Sequence, residues 1–395
     1  MNHKTALLVF VLFTVLSCTN KPDTNQNVAN AENGLQKVLP QLDLLLHDAY
    51  QAEWIPRTVE ENGETRFVGK NFDWTEGFFP GTLWYVYAST NETKYKEAAE
   101  YFQNKFIEHR HLTTNHDLGF VFNDSFGAGY QLTGNEEYKQ VLIDAGNSLI
   151  QRFNSTVGCI KSWDTERGWQ AKRGWQFPVI IDNMMNLEML FELSAITGDD
   201  KYKEVAISHA NTTLKNHFRA DNSSYHVVDY NPETGAVNVK HTAQGFAHES
   251  AWARGQAWGL YGFTVCYRYT RDANYLNQAK KIAEFYLTHQ NLPTDLVPYW
   301  DFNAPQIPNE PRDASAAAIV ASALIELDEY TEEDYLTPAT EILKSLSSDA
   351  YLAETGTNNH FILKHSVGSI PHGAEIDKPL NYADYYYVEA LTRLK

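Results

Sequence analysis

The sequence predicts an all-α fold: an (α/α)6 barrel, a ring of paired inner and outer helices, with a small inserted β-hairpin. Three observations carry that prediction. A polar phrase recurs along the chain, as Thr90-Asn-Glu-Thr-Lys-Tyr95, Thr133-Gly-Asn-Glu-Glu-Tyr138, Thr197-Gly-Asp-Asp-Lys-Tyr202, Thr270-Arg-Asp-Ala-Asn-Tyr275 and, loosely, Thr331-Glu-Glu-Asp-Tyr335. The segments before it, Phe78–Ala88, Met184–Ile196, Ala257–Tyr269 and Ala314–Leu327, are apolar or small almost all round, as inner helices covered on both sides would be. The segments after it (98–107, 141–153, 205–217, 279–289 and 339–346) place apolar residues three and four apart with Lys and Glu between, the pattern of an amphipathic outer helix.

Each phrase suits a tight helix-to-helix turn, with Gly or Asn able to take a left-handed cap and Asp or Thr able to cap the next helix. With a further pair around Leu35–Tyr50 and Tyr382–Leu394, the count reaches about six hairpins, and closing them into a ring is the economical arrangement. The interlude Ser224–Val239 alternates Tyr225, Val227, Val237 and Val239 around Pro232-Glu-Thr-Gly235 and reads as a β-hairpin between helices.

Composition narrows the function classes. The 395 residues are 43% hydrophobic and 13% aromatic, which excludes a disordered chain. A formal charge of −18 argues against a nucleic-acid partner, because phosphate binding needs Lys and Arg to displace counterions. Three cysteines cannot build a disulfide scaffold; Cys159 and Cys266 read as buried thiols. At the N-terminus Lys4 precedes the apolar run Ala6–Leu16, which ends in Ser17-Cys18. This is the pattern of a lipoprotein signal over residues 1–17 with Cys18 lipidated, or of an ordinary secretory signal. Either implies export, to the periplasm or the outer membrane, with the membrane touched only through the lipid. Residues 18–33 are polar and read as a flexible tether, leaving 34–395 as one domain.

Three segments carry chemistry. In His116-Asp117-Leu-Gly119-Phe120 and in Phe177-Pro-Val-Ile-Ile-Asp182-Asn183, a carboxylate falls where an inner element begins. Two such groups in one cleft supply the acid and base that glycoside chemistry needs. The apolar run into Asp182 would raise its pKa by desolvation and favour a proton donor. Helix capping by Asp182 and an Asx-turn at Asp117 are the structural alternatives. The third segment, Gln244 to Trp258, crowds Gln244, Trp252, Arg254, Gln256 and Trp258 into one helix start and reads as a cradle for a sugar acid. Its alternative is a Trp-rich helix packed on its neighbours. Trp163, Trp169 and Trp175 among Lys161, Arg167, Lys172 and Arg173 add an aromatic, cationic rim. Asp73-Trp74-Thr-Glu76 and Arg312-Asp313 read as helix caps. No His or Cys set has metal-ligand spacing, and there is no phosphate loop or G-x-S-x-G elbow, so cofactor-free acid/base chemistry remains.

Taken together, Asp73–Trp84, His116–Phe120, Ile181–Glu188, Tyr225–Val228 and Glu249–Trp258 resemble the unsaturated glucuronyl hydrolases, glycoside hydrolase family 88, from about residue 40 to the C-terminus. The resemblance implies an (α/α)6 barrel. It also implies removal of the 4,5-unsaturated uronic acid that polysaccharide lyases leave at a non-reducing end, by hydration of the C4=C5 vinyl ether. Asp182 then matches the general acid/base and Asp117 the second essential carboxylate. His226, Gln244, Arg254 and Trp258 match substrate-site positions, and His116, Trp74, Trp169 and His365 complete the expected set. His365 belongs to the run Leu363-Lys-His-Ser366, which stands where the family has a tyrosine. Unsaturated rhamnogalacturonyl hydrolysis of pectin fragments, and a non-catalytic glycan-binding lipoprotein, are the alternative functions.

Overall fold

A computed structural model describes residues 24–394; the signal segment and Cys18 lie outside the described residues. Six inner and six outer helical segments alternate along this span. The inner ones are α2 (Phe78–Thr90), the broken helix α4 (Leu118–Phe122) to α5 (Ala128–Thr133), α7 (Leu187–Thr197), α9 (Ala253–Thr270), α11 (Ala314–Asp328) and α13 (Asn381–Arg393). The outer ones are α1 (Thr24–Ala52), α3 (Thr93–Gln103), α6 (Glu136–Ile150), α8 (Lys201–Asn216), α10 (Ala273–Thr288) and α12 (Leu336–Leu346). Helix α13 packs on both α11 and α2, so the ring closes. In α11 every residue from Ala314 to Leu327 is buried; in α10 Ile282 and Tyr286 are buried while Lys281 and Glu284 face solvent.

The repeated phrase works as one hydrogen-bonding device. The hydroxyls of Thr90, Thr133, Thr197 and Thr270 donate to the carbonyls four residues back, at 2.8, 2.6, 2.5 and 2.7 Å. Each also accepts the N–H two residues ahead at 3.2 Å. One threonine thus satisfies an acceptor at the end of one helix and a donor at the approach to the next, groups a helix terminus otherwise leaves open. The following residue, Asn91, Gly134, Gly198 or Arg271, is left-handed, and its N–H closes the helix. Arg271 holds this conformation despite its side chain, with its guanidinium over Tyr267 and Tyr330. The tyrosine that ends each phrase reaches the preceding outer helix: Tyr95 to Asp43, Tyr138 to Glu100, Tyr202 to Asn147 and Tyr275 to Asn211, at 2.8 to 3.1 Å. The loose fifth phrase departs from this: Asp328 instead accepts the N–H groups of Tyr335 and Leu336.

One expectation is corrected and one is extended. The tether read over residues 18–33 is helical from Thr24, because Ala29-Asn-Ala31-Glu continues the docked helix α1 rather than opposing it; Ala31 is fully buried and Gly34 sits against Leu391 of α13. The expected hairpin is present and a third strand joins it in an antiparallel sheet, which follows two short antiparallel pairs, β1 (Ile55–Val59) with β2 (Thr65–Val68) and β3 (Phe153–Asn154) with β4 (Cys159–Ile160). The apolar run before Asp182 forms β5 (Phe177–Ile180), which pairs with β6 (Val227–Tyr230), and β6 with β7 (Val237–His241). Burial on both faces selects an extended run here, as continuous apolar strands require. Among the described residues no helix is long and apolar enough to cross a membrane, and both described cysteines are buried free thiols.

Replacing Tyr202 by Phe removes one of the staples between outer helices and is expected to lower stability by about 1 kcal/mol. Urea unfolding checks this; an unchanged midpoint would show that the staple contributes nothing.

Candidate active site

Because inner and outer helices alternate, all six inner segments start at the same mouth of the ring. Their leading ends carry Trp74, Asp117, Asp182, Arg254, Asp313 and Tyr382. These ends touch: the Trp74 ring lies 4.9 Å from Tyr382 and 5.7 Å from Phe120, Phe120 lies 5.1 Å from Trp258, and the Arg254 guanidinium lies 5.4 Å from the Tyr382 ring. Converging helix N-termini favour an anionic group at the mouth.

Neither aspartate serves as the cap or turn that its sequence position allowed. Asp182 lies in the first turn of the short helix Ile181–Asn186, whose N-cap is Ile180, and its Oδ2 is buried without a hydrogen-bond partner. Asp117 makes no cap hydrogen bond; the local turn is closed by Asn115, whose Oδ1 accepts the Asp117 N–H. Burial pushes the Asp182 carboxyl up to about 7, against the opposing pull of Arg254, its own backbone N–H and the Trp258 indole N–H. Asp117 is held well above the usual carboxylate range by burial first, then by the charges of Asp182 and Asp73. Both carboxyls thus hold their protons to higher pH than a solvated carboxylate does.

The two carboxyl-bearing turns are locked together by Asn186. Its Oδ1 accepts the Phe120 N–H at 3.2 Å, and its Nδ2 donates to Asn183, which in turn donates to Ile160 O and Ser162 Oγ. Gly119 makes this approach possible: a Cβ there would lie 2.3 Å from the Asn186 Cα. On the other side Gly262 of α9 fits against Met184, where a Cβ would lie 2.4 Å from the Met184 Cβ.

Two histidines complete the floor. His226 Nδ1 accepts the backbone N–H groups of Ala243 and Gln244 at 3.0 and 3.1 Å, which places its proton on Nε2, 3.7 Å from Asp182 Oδ2. Burial holds this ring neutral, far below the ordinary imidazole range. His116 is likewise pushed down to about 3 by burial and then by Arg152, and its Nε2 lies 3.1 Å from Asp117 Oδ1. Buried polar atoms without a hydrogen bond gather at this mouth: His116 Nδ1, Asp182 Oδ2, His226 Nε2, Arg254 Nε, Trp258 Nε1 and the Tyr382 hydroxyl. Groups left open in this way are rare in a folded protein, and their convergence marks where a polar ligand completes them.

The structure revises what some expected residues can do. Arg254 is buried, with its terminal nitrogens donating to Asp313 Oδ2, Val367 O and Gly368 O and approaching Gln244 Oε1 at 3.5 Å. It supplies charge and a free Nε rather than an open bidentate fork. Trp258 is fully buried between Phe120 and Tyr386, so its N–H, not its face, is available. Asp73 and Asp313 do act as local caps: Asp73 accepts the Thr75 N–H, and Asp313 accepts those of Ser315 and Ala316. Trp169 joins Trp163 and Trp175 in a rim, with Trp163 stacked on Trp175 at 5.8 Å and 6.0 Å from His226. His365 stands apart from this group: it is exposed, pairs with Asp377 and lies against Tyr351.

From the C-terminal segment it is His372 that reaches the rim, 5.1 Å from Trp169. It sits in the turn between β8 (Ser366–Ser369) and β9 (Ala374–Lys378), with its Nδ1 2.7 Å from Ser369 Oγ. Sequence reading missed it, and its only signal was a histidine in a Pro-Gly turn. Among the described residues no group of three or more His, Cys, Asp or Glu is placed to hold a metal ion.

Fold and site define a carbohydrate-active hydrolase of the α/α-toroid class, with a desolvated carboxyl pair at the mouth of the ring. The chain belongs to Glycosyl Hydrolase Family 88, whose model matches residues 50–394. It is 46% identical over 397 residues to an unsaturated glucuronyl hydrolase of Formosa agariphila, covering 99% of this chain and 98% of that one. Among solved structures it superposes with an unsaturated glucuronyl hydrolase specific for heparin at a TM-score of 0.88 and 44% identity, covering 93% and 97% of the two chains. An unsaturated glucuronyl hydrolase of Streptococcus agalactiae, solved as an aspartate-to-asparagine variant with dGlcA-GalNAc6S, matches at a TM-score of 0.78 and 29% identity, covering 95% and 93%.

Gly119→Ala drives a methyl group into the Asn186 backbone and separates the two carboxyl-bearing turns. It is expected to cut kcat by at least about 100-fold, as angstrom-scale misplacement of reacting groups does, with the chain still folded by circular dichroism. Wild-type kcat in a folded variant would overturn this account of the motif.

Proposed function

We propose that this chain removes the 4,5-unsaturated uronic acid from the non-reducing end of lyase-generated oligosaccharides of glycosaminoglycan or similar uronate polysaccharides. The single observation that carries the reading is the buried carboxyl of Asp182, which burial pushes up to about 7, set beside the His226 N–H and a second buried carboxyl, Asp117, that is raised as well. The relatives' names and the unsaturated saccharide bound by the Streptococcus agalactiae protein point the same way.

In the proposed step, protonated Asp182 gives its proton to C4 of the vinyl ether, and positive charge develops at C5 and the ring oxygen. Water adds at C5, and the Asp182 carboxylate takes the proton that water releases. The product is a hemiketal, which opens and frees the neighbouring sugar. Asp117 and His116 face the ring hydroxyls. The uronate carboxylate is held by the convergent helix N-termini, the Arg254 charge and the free N–H groups of His226 and Trp258. Nothing in this sequence of steps needs a cofactor.

Asp182 acts first as an acid, so kcat/KM is expected to fall as pH rises through about 7, the value to which burial pushes this carboxyl. The linkage has a definite sign. The folded-state pKa lies above the unfolded one, so ionised Asp182 costs stability above that range, by roughly 4 kcal/mol for a shift of this size. Asp182→Asn should therefore abolish turnover yet melt at a higher temperature than wild type above pH 7. Loss of the ultraviolet absorbance of the C4=C5 conjugated bond, followed with unsaturated disaccharides from several lyases, reports turnover. If wild type leaves that absorbance unchanged on every substrate, rhamnogalacturonan products included, the enzyme reading fails.

We also propose that the protein is exported as a lipoprotein, on the strength of Lys4, the apolar run Ala6–Leu16 and Ser17-Cys18. Labelled fatty acid should enter the wild-type chain and be absent from a Cys18→Ala variant; equal labelling would refute the assignment.

A further inference from the structure

At the indole N–H edge of Trp175 lies a cluster of nitrogen donors that the proposed reaction does not use. His241, at the end of β7, and His248, in the following loop, stack with ring centroids 4.1 Å apart and planes 18° from parallel. Each has its Nδ1 taken: His241 accepts from the Trp175 indole N–H and His248 from the Thr242 N–H, both at 3.1 Å. Both protons therefore sit on Nε2, and neither Nε2 has a protein partner among the described residues. Arg173 lies over Trp169 and Trp175 at 5.6 and 5.5 Å, is exposed, and has no carboxylate within ion-pair distance among the described residues.

The nearby carboxylates are engaged elsewhere. Asp229 accepts from Gln176, Phe177 and Asn238, and Glu249 from Arg219 and Tyr225. His241 is held below the ordinary imidazole range by partial burial, then by His248 and Arg173, with Asp229 opposing; an arriving anion would relieve that repulsion. In a chain of net charge −18, a local excess of unpaired donors beside the mouth of the site selects for negative ligands.

We propose that Arg173, His241 and His248 bind an anionic substituent, sulfate or carboxylate, on the saccharide that leaves. The order of contacts from the carboxyl pair outward gives the direction: Asp182, His226, Trp163, Trp175, His241. The cluster thus lies beyond the uronate position, where the rest of the oligosaccharide must run. Half-buried Trp163 and Trp169 flank that path, and the two Nε2–H groups and the guanidinium wait at its side. This inference rests on the hydrolase reading above.

The test compares three unsaturated substrates: an unsulfated disaccharide, a sulfated disaccharide, and an unsulfated tetrasaccharide that brings a second uronate. The variants are Arg173→Gln and His248→Asn, the latter keeping an acceptor for the Thr242 N–H while losing the Nε2 donor. For each variant the ratio of kcat/KM on an anionic substrate to kcat/KM on the unsulfated disaccharide is expected to fall about tenfold, through KM, as loss of a charge-assisted hydrogen bond implies. If the sulfated disaccharide responds, the ligand is sulfate; if the tetrasaccharide responds, it is the second carboxylate. Ratios equal to wild type on both overturn the anion site while leaving the hydrolase reading intact. A wild-type chain inactive on all three overturns the hydrolase reading and this one with it.

Discussion

A buried arginine organises the mouth of this ring. Arg254 lies inside the protein against Asp313, itself fully buried, and against two carbonyls of β8. The contacts tie the starts of α9 and α11 to the C-terminal hairpin, and Asp313 at the same time caps α11. Its plane lies over Trp252 and Tyr382, which sets the aromatic wall. Removing one partner from such a pair typically costs about 3–5 kcal/mol, because the other charge is left buried and alone. The same cation draws down the pKa of Asp182, so packing and chemistry share one group.

Function at this site comes from polar atoms the fold leaves unfinished. A protein interior ordinarily pairs its polar groups, and each exception costs roughly 1–3 kcal/mol. Several of the exceptions here meet at one mouth, on His116, Asp182, His226, Arg254, Trp258 and Tyr382, while others, such as Gln103 and His217, lie elsewhere in the ring. The remainder of the ring supplies the stability that tolerates them, through apolar inner helices and the repeated Thr and Tyr contacts between hairpins. Desolvation raises the carboxyl pair, and two backbone N–H groups fix the His226 tautomer, before any substrate arrives.

Much of this was legible in the sequence, for physical reasons that can be named. The phrase from Thr to Tyr signals a hairpin because its threonine, left-handed residue and tyrosine each meet a need local to a helix end or an adjacent outer helix. Asp117 and Asp182 stood out as carboxylates at the starts of inner elements, Asp182 at the end of a wholly apolar run, with an Asx-turn and a helix cap as their local alternatives. The run from Gln244 to Trp258 showed an unusual concentration of polar and aromatic groups. Reading failed where the outcome depended on distant partners. The residues before Leu35 look like a tether by composition, yet α13 gives them a surface to dock on. The run before Asp182 could have been helix or strand until β6 paired with it.

The sequence by itself determined the hairpin repeat, the alternation of inner and outer helices, and the residue types at the starts of the inner ones, because these follow from local hydrogen bonding and hydrophobic period. Only the tertiary structure decided which faces of those residues are usable. Trp258 offers an N–H and not a ring face because Phe120 and Tyr386 cover it. Arg254 offers charge and not a fork because β8 takes its terminal nitrogens. His372 replaces His365 at the rim because the β8–β9 turn carries it to Trp169. Burial and hydrogen-bond saturation are set by neighbours from distant parts of the chain, and no local pattern encodes them.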